Sequence, residues 1–396
     1  MQDPKCPFFH KPNPDVDPKK DFPDSSKCGG CATQHIEYEL QLENKKKKLS
    51  DITGFNDIQV FSDDPWNYRN RMDMVFTRDG LGFREKGRWW KTVAVGECVI
   101  SNSRLNELKK EVEDFFGPEF DFFHVKERVG TLKYAVIRTP QNDSCISIVL
   151  NKESENLDKV VAEVKKFAEK TTANNVLITY IKAKSSQSIG EDYEIVKGTD
   201  MVHETICAKV LHYSPQGFFQ NNSVMAEKMH EYTRQLLSDR RPNGGPDGEK
   251  LYAHLLDLYG GVGAFGIVNA DLFHKVTSVE DFEACTVAAK ENMKRNDIEN
   301  MEAICMDAKR LKQVNLPEKN LYVITDPPRV GMHEETIIQL RKLKPKLIIY
   351  ISCNVDQLAK DLPKFKDYKI KSAAVFDLFP QTNHMESVIE LVPKIG

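Results

Sequence analysis

No apolar run in the 396-residue chain approaches the length of a membrane span, which argues against an integral membrane protein. The first 27 residues are polar and Pro-rich, so a secretory leader is not expected and a cytoplasmic location follows by default. In that compartment the nine cysteines are expected as thiols, metal ligands or catalysts rather than disulfides. Charge of one sign is also lacking. The formal net charge of −3 gives no global mark of a nucleic-acid partner. No internal repeat is visible. Tryptophan is scarce: three residues, all within 66–90.

What is present suits a globular protein, with 40% apolar and 29% charged residues. The length calls for two or three domains. Residues 66–91 hold seven Lys/Arg against three Asp/Glu, interleaved with aromatics, a composition that can pair phosphates and stack bases. The plainer reading, favoured from this segment alone, is a β-hairpin with an "RDG" turn and core tryptophans. Residues 7–27 read as a Pro/Asp/Lys loop. Residues 34–50 read as a helix with Ile36, Leu40 and Leu49 on its apolar stripe and a solvated Lys run at 45–48. From 104, helices and strands alternate as in a small α+β domain with a mostly antiparallel sheet. After the break at 240–250 the alternation is strict, the pattern of a doubly wound, Rossmann-like parallel sheet.

In the second half, chemistry collects at the ends of expected strands. "LLDLYGGVGAFG" is a strand, a glycine turn and a helix start, in which glycines admit a ligand close to the backbone. Glu280 ends the next strand, where a carboxylate can accept two ribose hydroxyls. Asp307 ends the third strand region and can meet an adenine amino group. Together these suit a nucleoside cofactor, NAD or S-adenosylmethionine. Asp326 closes "LYVITDPP", and two prolines stiffen the loop after it. Cys353 follows the apolar strand "LIIYIS" where a helix begins, a position that favours a thiolate. Cys145, Cys207, Cys285 and Cys305 read as core residues. His384 and Glu386 alternate about Met385, so one strand face is expected to carry both; Glu386 is a candidate general base. Cys28-x-x-Cys31 has metal-type spacing. With Cys6 and Cys98 it makes four thiolates, suited to zinc or an iron–sulfur cluster.

"DLYGGVGAFG", "DPPRVG", "SCN" and "DLFPQTNHMESV", in this order, resemble the RNA 5-methyluridine (uracil-C5) methyltransferases. "FFQNN" (218–222) and "YRNRM" (68–72) add to the likeness, which spans nearly the whole chain. The resemblance implies a methyltransferase that uses S-adenosylmethionine and a structured RNA, tRNA or large-subunit rRNA. It implies Cys353 as nucleophile and Glu386 as proton acceptor. Gln220, Tyr259, Glu280 and Asp307 match positions that hold the cofactor, and Asp326 lies near cofactor or base. "CGGCATQH" implies a structural [4Fe–4S] cluster on Cys6, Cys28, Cys31 and Cys98, with zinc as the alternative. The analogy implies a central α+β domain from residues 1–33 and 66–204 and a catalytic domain from 34–65 and 205–396, acting as a monomer. Three departures stand out. Val355 replaces a common proline, Ala264 replaces an asparagine of some relatives, and 21 residues separate Cys6 from Cys28. The small β-barrel that many relatives carry in front is expected to be absent. Two rival readings are a NAD-dependent oxidoreductase with an electron-carrying cluster and a non-catalytic zinc RNA-binding protein.

Overall fold

The computed structural model describes residues 2–12, 27–240 and 252–394; the loop expectations for 13–26 and 241–250 lie outside the described residues. Two sheets dominate. The larger has eight strands in the spatial order Ile58–Phe61, Tyr368–Phe376, Glu386–Pro393, Leu347–Ser352, Leu321–Thr325, His254–Leu258, Lys275–Glu280 and Met301–Cys305. Glu386–Pro393 runs antiparallel to both neighbours, and every other pairing is parallel. The chain starts this doubly wound unit mid-sheet, at His254–Leu258, and winds outward in both directions. Such reversals leave a crevice beyond the carboxyl ends of the central strands. Leu255, Leu256, Ile348, Ile349 and Val323 are wholly buried, as expected for strands covered on both faces.

The smaller sheet has seven strands: Arg88–Ala94, Gly80–Glu85, Arg71–Thr77, Leu132–Arg138, Cys145–Asn151, Asn175–Ile181 and Tyr193–Lys197. Only Cys145–Asn151 and Asn175–Ile181 pair in parallel, so the mostly antiparallel expectation holds. Helices Ser103–Phe115 and Leu157–Lys170 bury Leu105, Leu108, Val160 and Val164 against it.

The helix over residues 34–50 begins later than its pattern suggests. It spans Tyr38–Thr53 and stops at Gly54, whose left-handed backbone (φ 67°) lets its N–H reach Ser50 O. Its buried face is also different. Leu40 is 47% exposed, whereas Gln41, Lys45 and Leu49, spaced four apart, point inward. Lys45 is therefore not on a solvated face. Its Nζ lies 2.6 Å from Asp377 Oδ1, with both side chains buried. The strand that follows this helix, Ile58–Phe61, joins the edge of the larger sheet beside Tyr368–Phe376.

The hairpin at 71–85 forms around the "RDG" turn, but two tryptophans leave the core. Trp89 is 64% exposed and Trp90 38%, on the edge strand Arg88–Ala94. Trp66 alone packs against the apolar core of this sheet. Cys305 also departs from expectation: it is exposed, because it ends the outermost strand of the larger sheet, while Cys145 is buried.

Candidate active site

Parallel strands carry their carboxyl ends to one edge, so Asp257, Glu280, Asp326 and Cys353 come to a single row. The turn after His254–Leu258 is tight. Tyr259, Gly261 and Gly263 all have positive φ (63°, 54° and 83°). A Cβ on Gly260 would stand 2.0 Å from Ser278 Oγ and 2.9 Å from Asp257 Oδ2, so only glycine fits. Beyond Gly261 a Cβ would meet nothing within 4 Å; the turn faces open space.

Three carboxyl groups border this turn. Asp257 is buried and accepts from Gly266 N (3.0 Å) and Ser278 Oγ (3.4 Å). Burial, with Asp326 and Glu280 nearby, pushes its pKa up to about 7. Glu280 accepts from Gly261 N and Phe282 N, both at 3.0 Å, which fixes the carboxylate at the strand end and pins the glycine turn to it. Its pKa is also raised, chiefly by burial. Asp326 continues the ladder through its N–H to Leu258 O, and desolvation pushes its carboxyl up to about 7. Asp307 caps the turn at Ala308–Gln313, accepts from Lys309 N and pairs with Lys309 Nζ at 2.9 Å; these bonds hold its pKa down. Asp307 is also close enough to Tyr259 to raise that phenol, after burial itself. Gln220 lies on another segment, where Gln220 O and Asn221 O accept from Asn70 Nδ2 and N at 3.4 and 2.9 Å. "FFQNN" and "YRNRM" thus meet at the junction of the two sheets.

Cys353 follows Ser352, which pairs with Ser387 at the end of the antiparallel ladder, sealed by Ser387 Oγ donating to Ser352 O (3.1 Å). Cys353 directly follows, and Glu386 directly precedes, the two members of that last pair, so both stand at the end of the ladder. Glu386 is 4% exposed, and its Oε2 has no hydrogen-bond partner. Burial first, then Asp326, raises its pKa well above the carboxylate range. The Cys353 thiol is pushed up to about 12 by burial, then by Glu386 and Asp326. The start of the short helix Val355–Asp361 does not offset these effects, so the resting thiol keeps its proton, contrary to the sequence expectation. His384 does not share a strand face with Glu386. The strand begins at Glu386, and His384 is exposed before it, with Nδ1 3.3 Å from Arg329 Nη2. Arg329, not singled out from sequence, opposes the pKa rise of both Cys353 and Glu386. Its loop is tied to the "SCN" motif by Asn354 Nδ2 donating to Arg329 O (2.9 Å).

Cys6, Cys28, Cys31 and Cys98 line one cavity of about 110 Å³, together with Gln34 and Phe83. Burial raises the Cys6 thiol and pushes Cys28 and Cys31 up to about 12. Among the described residues, no three His, Cys, Asp or Glu side chains stand close enough to hold a single metal ion. Gln34 Nε2 is buried on this wall without a hydrogen-bond partner. No helix among the described residues is long and apolar enough to cross a membrane.

The comparisons with known proteins agree with this geometry. Residues 37–394 match the family described as tRNA (Uracil-5-)-methyltransferase. The tRNA (uracil(54)-C(5))-methyltransferase of Pyrococcus abyssi is 32% identical over 367 residues, 92% of this chain and 84% of that protein. The enzyme of the same description from Pyrococcus horikoshii is 31% identical over 368 residues, 92% of this chain and 84% of that one. The crystal structure of the Pyrococcus abyssi enzyme with S-adenosyl-L-homocysteine superimposes with a TM-score of 0.76 at 30% identity, covering 92% of this chain and 86% of that one. The chain therefore belongs to the tRNA (uracil-5-)-methyltransferase family, whose members transfer a methyl group from S-adenosylmethionine to uracil C5.

Proposed function

We propose that this enzyme methylates C5 of a tRNA uridine through a covalent bond between Cys353 and uracil C6. The observation that carries the reading is that Cys353 and Glu386 flank the last registered pair of one ladder, Ser352 with Ser387, close enough for the carboxyl to raise the thiol, at the same sheet edge as the glycine turn. Uracil C5 is a weak nucleophile. Cys353 gives its proton to water, Sγ bonds to C6, and the C5–C6 electrons move to C5 and O4. S-adenosylmethionine, when bound, supplies the electrophilic methyl that C5 takes. Glu386 then removes the C5 proton, the C5–C6 double bond reforms, and Cys353 leaves with its bonding pair. Arg329 is positioned electrostatically to favour the anionic forms of both groups. A base must leave its stack to reach Cys353, at a cost of roughly a few kcal/mol.

Gly260, Gly261 and Glu280, with Tyr259, Asp307 and Gln220, suit the cofactor, and Asp326 suits a place near the cofactor or the uracil. The RNA reading has support outside the pocket. Trp89 and Trp90 are exposed, with ring centroids 5.9 Å apart and Lys126 Nζ 5.3 Å from the Trp90 ring, and so offer faces for unpaired bases. The division into residues 1–33 with 66–204 and 34–65 with 205–396 is supported by the pairing of Ile58–Phe61 with the catalytic sheet. A single chain supplies both groups, so the reaction needs no second copy.

The four cysteines suit a [4Fe–4S] cluster held by Cys6, Cys28, Cys31 and Cys98. They share one cavity and leave the Gln34 amide as a donor for a cluster sulfur. Such a cluster would cross-link the N-terminal segment to the central sheet, and methyl transfer draws no electrons from it. Anaerobic purification, an absorption spectrum and an iron assay test this; stoichiometric zinc overturns it. For the main reading, labelled S-adenosylmethionine and tRNA transcripts should yield 5-methyluridine at one position. Label confined to ribosomal RNA, or to another nucleoside, refutes it.

A further inference from the structure

The loop that delivers Glu386 is held from outside the catalytic sheet. Residues 377–385 connect Tyr368–Phe376 to Glu386–Pro393, and Gln381 sits at their centre, fully buried, with a left-handed backbone (φ 66°). Such a conformation in a residue with a side chain persists only where its surroundings fix it. Gln381 O accepts from Ala32 N (2.9 Å) and Thr33 N (3.1 Å). Gln41 closes a reciprocal pair with Gln381: Nε2 donates to Oε1 (3.0 Å), and Oε1 accepts from the backbone N (3.2 Å). Thr33 Oγ1 donates to that same Gln41 Oε1 (2.8 Å). Just before it, Tyr68 OH donates to Pro380 O (3.0 Å) and Lys45 Nζ to Phe379 O (3.2 Å).

We infer that Gln41 and Gln381, with Thr33, are positioning residues that set Glu386 against the target base. Glu386 Oε2 has no partner to steer it, so the placement of its carboxyl depends on the backbone that presents it. That backbone is anchored by the Ala32 and Thr33 N–H groups and by the Gln41 side chain, 340 residues from Gln381 in sequence and itself held by the Thr33 hydroxyl. The anchoring strand of chain, Ala32–Thr33, directly follows Cys31, and Gly29 N on its other side donates to Arg84 O (3.1 Å) of the tryptophan-bearing hairpin. The cysteine segment therefore joins the catalytic loop to the hairpin we assign to RNA.

The inference rests on Glu386 being the C5 base, and the test separates the two. Wild type and Glu386→Gln, Gln41→Leu and Thr33→Val variants of the full chain are given tRNA tritiated at uridine C5. Adduct formation and tritium release are followed separately in single turnovers. Glu386→Gln should accumulate the adduct without release; if it does not, the base assignment fails. Gln41→Leu should form adduct at the wild-type rate but release tritium roughly ten- to a hundredfold more slowly, the penalty of a misplaced reactive group. Thr33→Val, which removes only a hydroxyl, should shift the same ratio less and covers the case in which Gln41→Leu does not fold. Adduct formation and release falling in parallel, or neither changing in a folded variant, overturns the positioning role.

Discussion

Cys353 should react slowly with a small disulfide probe in the free enzyme, and its rate should keep climbing with pH. Burial and two neighbouring carboxyl groups push the thiol from 9.0 up to about 12. Three pH units make the thiolate about a thousandfold scarcer at any pH below 9. The more basic thiolate is intrinsically more reactive, by roughly twentyfold over that range. The net expectation is a rate about fiftyfold below an ordinary thiol at pH 8. The assay is stopped-time labelling from pH 6 to 10, with the peptide bearing Cys353 quantified by mass spectrometry. Half-burial of the sulfur scales every rate alike and cannot create a plateau. The profile should therefore rise nearly tenfold per unit with no levelling below pH 9. Levelling near pH 8 or lower would refute the claim that the resting thiol is held protonated.

Other consequences are simpler to check. Gly260→Ala forces a Cβ against Ser278 and Asp257 and should weaken S-adenosylhomocysteine binding by roughly tenfold or more in calorimetry. Lys45→Met leaves Asp377 buried without its cation and should lower unfolding free energy by about 3–5 kcal/mol in urea titrations. Asp257 has a folded pKa of about 7 against 3.8 unfolded, so its contribution to stability is present below pH 4 and lost as pH rises to about 7. The stability of wild type relative to Asp257→Asn should fall across that window in denaturant titrations.

The sheet and its row of strand-end residues were legible because a buried parallel strand is an unbroken apolar run, and the polar residue that ends it marks the edge. Glu280, Asp326 and Cys353 were all found that way. Polar residues turned inward were not legible. Lys45 read as solvent-facing, and Gln41 gave no signal, because their partners, Asp377 and Gln381, lie more than 330 residues away. Trp89 and Trp90 read as core because hydrophobicity cannot distinguish an edge strand's covered face from its open one. His384 and Glu386 read as sharing a face because alternation does not show where a strand begins. The protonation of Cys353 was missed for a related reason: the helix end is local in sequence, whereas the burial and, after it, the carboxyl groups that outweigh it come from the packing of other strands.

The most direct test uses tRNA in which uridine is replaced by 5-fluorouridine, whose C5 carries no removable proton. With S-adenosylmethionine present, the enzyme should be trapped as a denaturation-resistant complex whose cross-linked peptide contains Cys353, and Cys353→Ala should form none. Methylation of ordinary tRNA by Cys353→Ala, or a trapped complex mapped to another residue, would contradict the account.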